Sequence, residues 1–240
     1  MSGRLPDFLG IGAQKAGTTW LFKMLNFHPQ VAFPAGKEVH FWDWHRDRGL
    51  DWYREQFARA PADARTGDIT PGYAAISPAG IAEVRRTLPD APILFIARNP
   101  IERAWSAAIM IVRWGLMYPR ELSDAWFLDV FRSGQSQVRG DYAGCLARWM
   151  AEYPPEQFAI LLYDDIATDP RGLLRRACVH VGVDPELTRG WPDERLTERV
   201  NAGDGEPLRE SLRQPLRDLY APRIETFSRL IGRDLSHWLD

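Results

Sequence analysis

Short, continuous apolar runs alternate along the chain with longer segments of helical period. FLGIG (Phe8–Gly12), ILFIA (Ile93–Ala97) and FAILLY (158–163) have almost no polar interruption, the pattern of strands buried on both faces. After the first run, TTWLFKMLNFH places Trp20, Leu21, Met24, Leu25 and Phe27 on one helical stripe, which Pro29 closes. Helices are also predicted over 50–57, from Ser77 as cap with Pro78 at the first helical position, and over 101–114, 141–153 and Pro170–Val181. The segment 208–231 keeps a helical period but contains Pro215 and Pro222, which predicts two helices. Strands of this type between helices predict an α/β fold, a central parallel sheet flanked by helices. No internal repeat or low-complexity linker divides the 240 residues, so one domain over 1–240 is expected. The stretch VNAGDGEP (200–207) reads as a loop within it.

Charge narrows the function classes. A net charge of −2 provides no global basic field for nucleic acid, so any anion site has to be built locally. Lysine is scarce: only Lys15, Lys23 and Lys37 occur, the remaining cations being arginine. Cys145 and Cys178 are too few for a disulfide framework or a four-ligand zinc site and are read as core thiols. His28, His45, His180 and His237 show no metal-ligand spacing, so no catalytic metal is expected. The opening MSGRLPDFLGIG shows no secretory apolar segment, and no run approaches the ~18 apolar residues of a membrane span, which makes a reducing, cytoplasmic location the default expectation.

GAQKAGTTW (12–20) joins the first apolar run to the first helix. Successive backbone N–H groups in such a loop form a concave anion site, and the helix N-terminus adds favourable dipole charge. Gly12 and Gly17 permit close backbone approach, Thr18 and Thr19 offer hydroxyls, and Lys15 supplies a full charge. The glycines have Walker A spacing, but Thr18 stands where that motif has lysine, and the lysine lies at position 15. Arg98 follows the second strand where a nucleoside triphosphatase would place a magnesium-binding carboxylate, so the pattern suits an anion without a metal. Arg98 leaves the carboxyl end of a parallel strand, where open α/β sheets bind ligands, and Ser106 follows about two helical turns later, so both can face one phosphate. Arg103 is read as a solvated or packing arginine. A strand–turn–helix with no ligand remains the plain alternative for the loop.

The two segments together resemble the sulfotransferases that use 3'-phosphoadenosine 5'-phosphosulfate (PAPS). GAQKAGTTW is similar to that family's 5'-phosphosulfate loop and RNPIERAWS (98–106) to its 3'-phosphate motif. KEVHFWDW (37–44), GLDWYREQF (49–57), the unit GDYAGCLARWMAEYPPEQFAILLYDDIATDP (140–170) and GRDLSHWL near the C-terminus extend the likeness to the heparan-sulfate-type branch. The resemblance implies a P-loop-like sulfotransferase fold. It also implies that Gln14, Lys15, Ala16, Gly17, Thr18, Thr19 and Trp20 surround the 5'-phosphosulfate, that Arg98 and Ser106 bind the 3'-phosphate, and that Glu38 is the base. His40, two residues on, is an alternative or assisting base whose natural titration range suits the task. Glu38 can equally be a surface carboxylate and His40 a structural histidine. Where relatives carry Glu-Lys-Ser/Thr-Pro, this chain has Asp68-Ile69-Thr70-Pro71, so one lysine is missing. The late loop also lacks lysine, leaving Asn201, Ala202 and Gly203 to offer backbone N–H groups. The expected acceptor is glycan-like or a small molecule, with no nucleic acid partner. The aromatic segments 41–52 and 105–126 suit either a cleft wall or core.

Overall fold

A computed structural model describes residues 3–198 and 206–240. The strands are β1 (Phe8–Gly12), β2 (Val31–Ala32), β3 (Arg65–Ile69), β4 (Ile93–Ala97) and β5 (Phe158–Leu162). The helices are α1 (Thr18–Phe27), α2 (Gly49–Glu55), α3 (Pro78–Thr87), α4 (Pro100–Trp114), α5 (Asp124–Arg132), α6 (Gly134–Gly140), α7 (Tyr142–Met150), α8 (Asp165–Thr168), α9 (Pro170–Val181), α10 (Asp193–Thr197) and α11 (Glu210–Ile231).

The five strands form one sheet in the order β2-β3-β1-β4-β5, with every neighbouring pair parallel. From β1 the chain passes to the edge strand β2, returns inward through β3, and then crosses to β4 and β5 on the other side of β1, so the direction changes between β1 and β4. Their carboxyl ends therefore frame the crevice in which a sheet of this kind receives a ligand. Alternation along β4 explains the two cores. Ile93, Phe95 and Ala97 join one cluster with α3, α4, α5, α7 and α11, while Leu94 and Ile96 join another with α1 and α9.

The strand β3 has no counterpart in the sequence reading, and two expectations are corrected. It has the sequence RTGDI, which carries no apolar run, yet it lies inside the sheet between β2 and β1. Gly67 lets it lie against Phe8, whose ring would sit 2.2 Å from any added Cβ. Asp68 is fully buried there and accepts from the hydroxyls of Tyr53 (2.9 Å), Tyr73 (2.7 Å) and Thr70 (2.6 Å), so its polarity is satisfied inside the core. First, residues 210–231 form one helix, not two. Leu212, Leu216, Tyr220, Ile224 and Phe227 bury a single face, and this packing offsets the backbone bonds lost at Pro215 and Pro222. Second, Phe27 leaves the α1 stripe and is 49% exposed, edge-on to Trp191.

Both cysteines are buried and free, and burial pushes each thiol up to about 12, as expected of core thiols. Among the described residues no helix is long and apolar enough to cross a membrane.

Candidate functional site

The crevice opens into a cleft of about 1000 Å³ at the carboxyl end of the sheet. Its floor is the turn between β1 and α1. Gly17 caps α1 at φ 94° with no side-chain acceptor, and no carboxylate lies in the helix's first turn, so the positive end of the helix faces the cleft uncompensated. A Cβ at position 17 would stand 2.8 Å from the Tyr163 ring, which explains glycine there. Lys15 adopts φ 65°, a left-handed conformation costly for a lysine and the kind of strain that collects at functional sites. Burial, then the charges of Arg98, Arg113 and Lys37, hold its ammonium below the ordinary lysine value of 10.5. Four cations thus crowd one region, an arrangement that favours an anion.

Arg98 extends from the end of β4 toward this turn. Its guanidinium lies 4.6 Å from the Tyr163 ring centroid, pairs with Glu102 at 2.7 Å and donates to the Lys15 carbonyl at 3.4 Å. Ser106 lines the same cleft. Gln14, Gly17, Thr18, Thr19 and Trp20 line it too, with the Trp20 indole tied to the Leu196 carbonyl at 2.7 Å. Ala16 departs from expectation: its side chain is buried in the core and its N–H donates to the Ala13 carbonyl at 3.2 Å. Asn201, Ala202 and Gly203 lie outside the described residues.

Across the cleft from the turn stands the loop 37–44. His40 adopts φ 55° and stacks on Trp44 with centroids 3.6 Å apart. Its Nδ1 lies 3.0 Å from Asp43, and its Nε2 lies 3.1 Å from the Glu38 carboxylate, whose other oxygen pairs with Lys37. Glu38 and His40 therefore act as one hydrogen-bonded unit oriented by Asp43. The loop is fixed from beneath by the turn that follows β3: the N–H of Val39 donates to Thr70 Oγ1 at 3.1 Å, and the N–H of Phe41 to the Tyr73 hydroxyl at 2.9 Å. Phe41 and Trp42 are buried, whereas Trp44 is 67% exposed at the mouth of the cleft. Ile69, in the place of the missing lysine, is wholly buried, so this segment contributes no cation.

Sequence reasoning missed Asp43, Tyr163 and Arg139. The spacing of His40 and Asp43 on a loop, and the position of Tyr163 just beyond β5, were the available signals. Of the two readings of Arg103, the packing one describes it and the solvated one does not. It is fully buried on α4 and lines the cleft beside Arg139 of α6. Among the described residues there is no group of three or more potential metal ligands.

The sulfotransferase domain model matches residues 5–202. Heparan sulfate glucosamine 3-O-sulfotransferase 6 of Mus musculus is 29% identical over 252 residues, covering 96% of this chain and 73% of that protein. Heparan sulfate glucosamine 3-O-sulfotransferase 3B1 of the same species is also 29% identical, covering 97% of this chain and 65% of that protein, so this chain spans only part of either relative. The crystal structure of a sulfotransferase from Alicyclobacillus acidocaldarius is similar with a TM-score of 0.77 and 25% identity, covering 99% of this chain and all of that one. Mouse sulfotransferase SULT7A1, complexed with PAP, shares the fold at a TM-score of 0.55 and 15% identity, covering 93% of this chain and 85% of that one. The domain match covers most of the chain, and the anion crevice lies within it: this chain belongs to the sulfotransferase family.

Proposed function

We propose that the chain transfers the sulfuryl group of PAPS to a hydroxyl or amine of a glycan-like or small-molecule acceptor. One observation carries the reading: the loop bearing Lys15, the guanidinium of Arg98 and the Glu38–His40 pair open onto a single cleft at the switch point of the sheet. The residues fit a sulfated nucleotide, because uncompensated helix N-terminal charge, a lysine held below its usual range and a strand-end arginine all favour a polyanion. The bound nucleotide supplies an activated sulfuryl group and a phosphate leaving group.

Lys15, Gly17, Thr18 and Thr19 hold the 5'-phosphosulfate, with Gln14 and Trp20 shaping the wall and Ala16 setting the turn through its backbone. Arg98 and Ser106 hold the 3'-phosphate that distinguishes this donor from ATP. Lys15 balances charge that grows on the 5'-phosphate oxygen as the sulfur–oxygen bond breaks. Glu38 accepts the proton of the acceptor while the new bond to sulfur forms in line, and His40, held by Asp43, keeps the carboxylate aimed. No metal is required.

Radiolabelled PAPS offered with pooled glycans, lipids and phenolics tests the reading. Label should appear in an acceptor pool and depend on Glu38. Bisphosphate binding without transfer to any pool would make the chain a nucleotide-binding protein on a sulfotransferase fold.

A further inference from the structure

We propose that Trp238 is a positioning residue for the donor's 3'-phosphate: it locks together Asn99 and Asp164, the chain neighbours of Arg98 and Tyr163. The proposal deepens, and rests on, the sulfotransfer reading above.

The register of β4 and β5 ends at Ala97 and Leu162, beyond which the Tyr163 N–H still donates to the Ala97 carbonyl at 2.7 Å. Arg98 and Tyr163 follow directly, with the guanidinium 4.6 Å from the ring centroid. Strand pairing therefore does not fix the spacing of these two side chains. The short turn Ser236–Leu239 supplies a link instead. The Asn99 side-chain N–H donates to the Trp238 carbonyl at 2.7 Å, and the Trp238 indole N–H donates to Asp164 Oδ2 at 2.7 Å. His237 Nε2 lies 3.0 Å from the same oxygen. Asn99 also caps α4, its Oδ1 accepting from the Ile101 N–H at 3.0 Å. One residue thus ties the exit of β4 to the exit of β5.

Trp238 is itself held firmly. It is buried, and its ring stacks on Phe227 of α11 with centroids 6.1 Å apart. Gly232, at φ 64°, ends α11 and lets the chain turn back to the sheet. Direction is what this anchoring protects. A guanidinium grips phosphate through a planar fork, so a small rotation costs one of its parallel bonds. The Tyr142 hydroxyl holds the Arg98 carbonyl at 2.7 Å, which fixes the main chain and not the side chain. Glu102, at 2.7 Å, competes with a phosphate for the same guanidinium. The Tyr163 ring keeps Arg98 turned to the crevice, and Asp164 holds the ring's backbone in place. Charge and position make opposite demands here. A carboxylate near a polyanion repels it, so electrostatics alone predicts tighter phosphate binding once Asp164 is removed. Positioning predicts the reverse.

The test is competition calorimetry on the full chain with adenosine 3',5'-bisphosphate and AMP, which differ by the 3'-phosphate. Asp164→Ala and Asp164→Asn remove the same charge, but only the asparagine keeps an oxygen to accept the indole N–H. The preference for bisphosphate over AMP should be about tenfold smaller in Asp164→Ala than in Asp164→Asn, with AMP affinity alike in both. Trp238→Phe, which keeps a ring and loses the N–H, should show the same loss with the carboxylate still present. Asp164 is half-buried, so its two variants decide the matter even if Trp238→Phe fails to fold. Equal preference in the two Asp164 variants, a preference that survives in folded Trp238→Phe, or equal weakening of both nucleotides overturns the positioning role alone. A wild-type chain that does not prefer the bisphosphate overturns the sulfotransfer reading and the positioning role with it.

Discussion

Lys15 is held in a left-handed backbone conformation, half-buried, near Arg98, Arg113 and Lys37. Each of these features makes its charge expensive without an anion and valuable with one. Lys15→Ala should lower turnover by about 10²–10³-fold with the far-ultraviolet circular dichroism unchanged. Because the charged form is disfavoured, the free enzyme should lose kcat/KM as pH rises at a midpoint below 10.5, and Lys15→Arg should move that limb upward. Glu38→Gln addresses the proton instead. It should reduce kcat by about 10²–10⁴-fold while calorimetry shows the bisphosphate still bound. An unchanged kcat would assign the proton to His40. The anion loop and Arg98 were legible in the sequence because they are local: glycines, a lysine and hydroxyls within nine residues, and an arginine directly after an apolar strand. Asp43, Arg103 and Arg139 were not, because their meaning depends on what faces them across the cleft. A buried arginine and a solvated one look the same in a sequence.

At the scale of elements, the turn into α1 depends on one backbone geometry. Gly17→Ala forces a Cβ onto Tyr163 and retains a positive φ, so it should destabilise by about 1–3 kcal/mol in chemical denaturation and weaken bisphosphate binding as well. The strands β1, β4 and β5 announce themselves by continuous apolar residues, because both faces of each are covered. The strand β3 hides because Thr66 and Asp68 are buried polar residues, and the partners that satisfy them include Asp7 and Tyr53 from other segments. Asp68 fastens β3 to Tyr53 and Tyr73, and Tyr73 in turn anchors the loop carrying Glu38 and His40. A polar residue in the core thus positions the proposed base from below. The helix α11 misled in the opposite direction. Its prolines are real breakers, but tertiary packing of one apolar face keeps it whole. Pro222 is exposed and off that face, so Pro222→Ala should stabilise the chain, on the order of 1 kcal/mol by denaturant titration.

Across the whole molecule, a chain of net charge −2 still gathers Lys15, Arg98, Arg113 and Lys37 near one turn. The winding of the sheet reverses between β1 and β4, and that reversal brings residues 15 and 98 together although 83 positions separate them. The wall opposite is supplied by residues 37–44, held by β3, so the floor and one wall of the cleft are fixed by the order of the strands. The central claim is that this crevice recognises a nucleotide with phosphates on both sides of the ribose and does so without magnesium. Calorimetry comparing adenosine 3',5'-bisphosphate with ADP and Mg²⁺ tests it most directly. The account predicts tight binding of the bisphosphate, undiminished by a chelator and greatly weakened in Arg98→Ala, with little heat from ADP and Mg²⁺. Stronger binding of ADP with Mg²⁺, or bisphosphate affinity indifferent to Arg98, would contradict it.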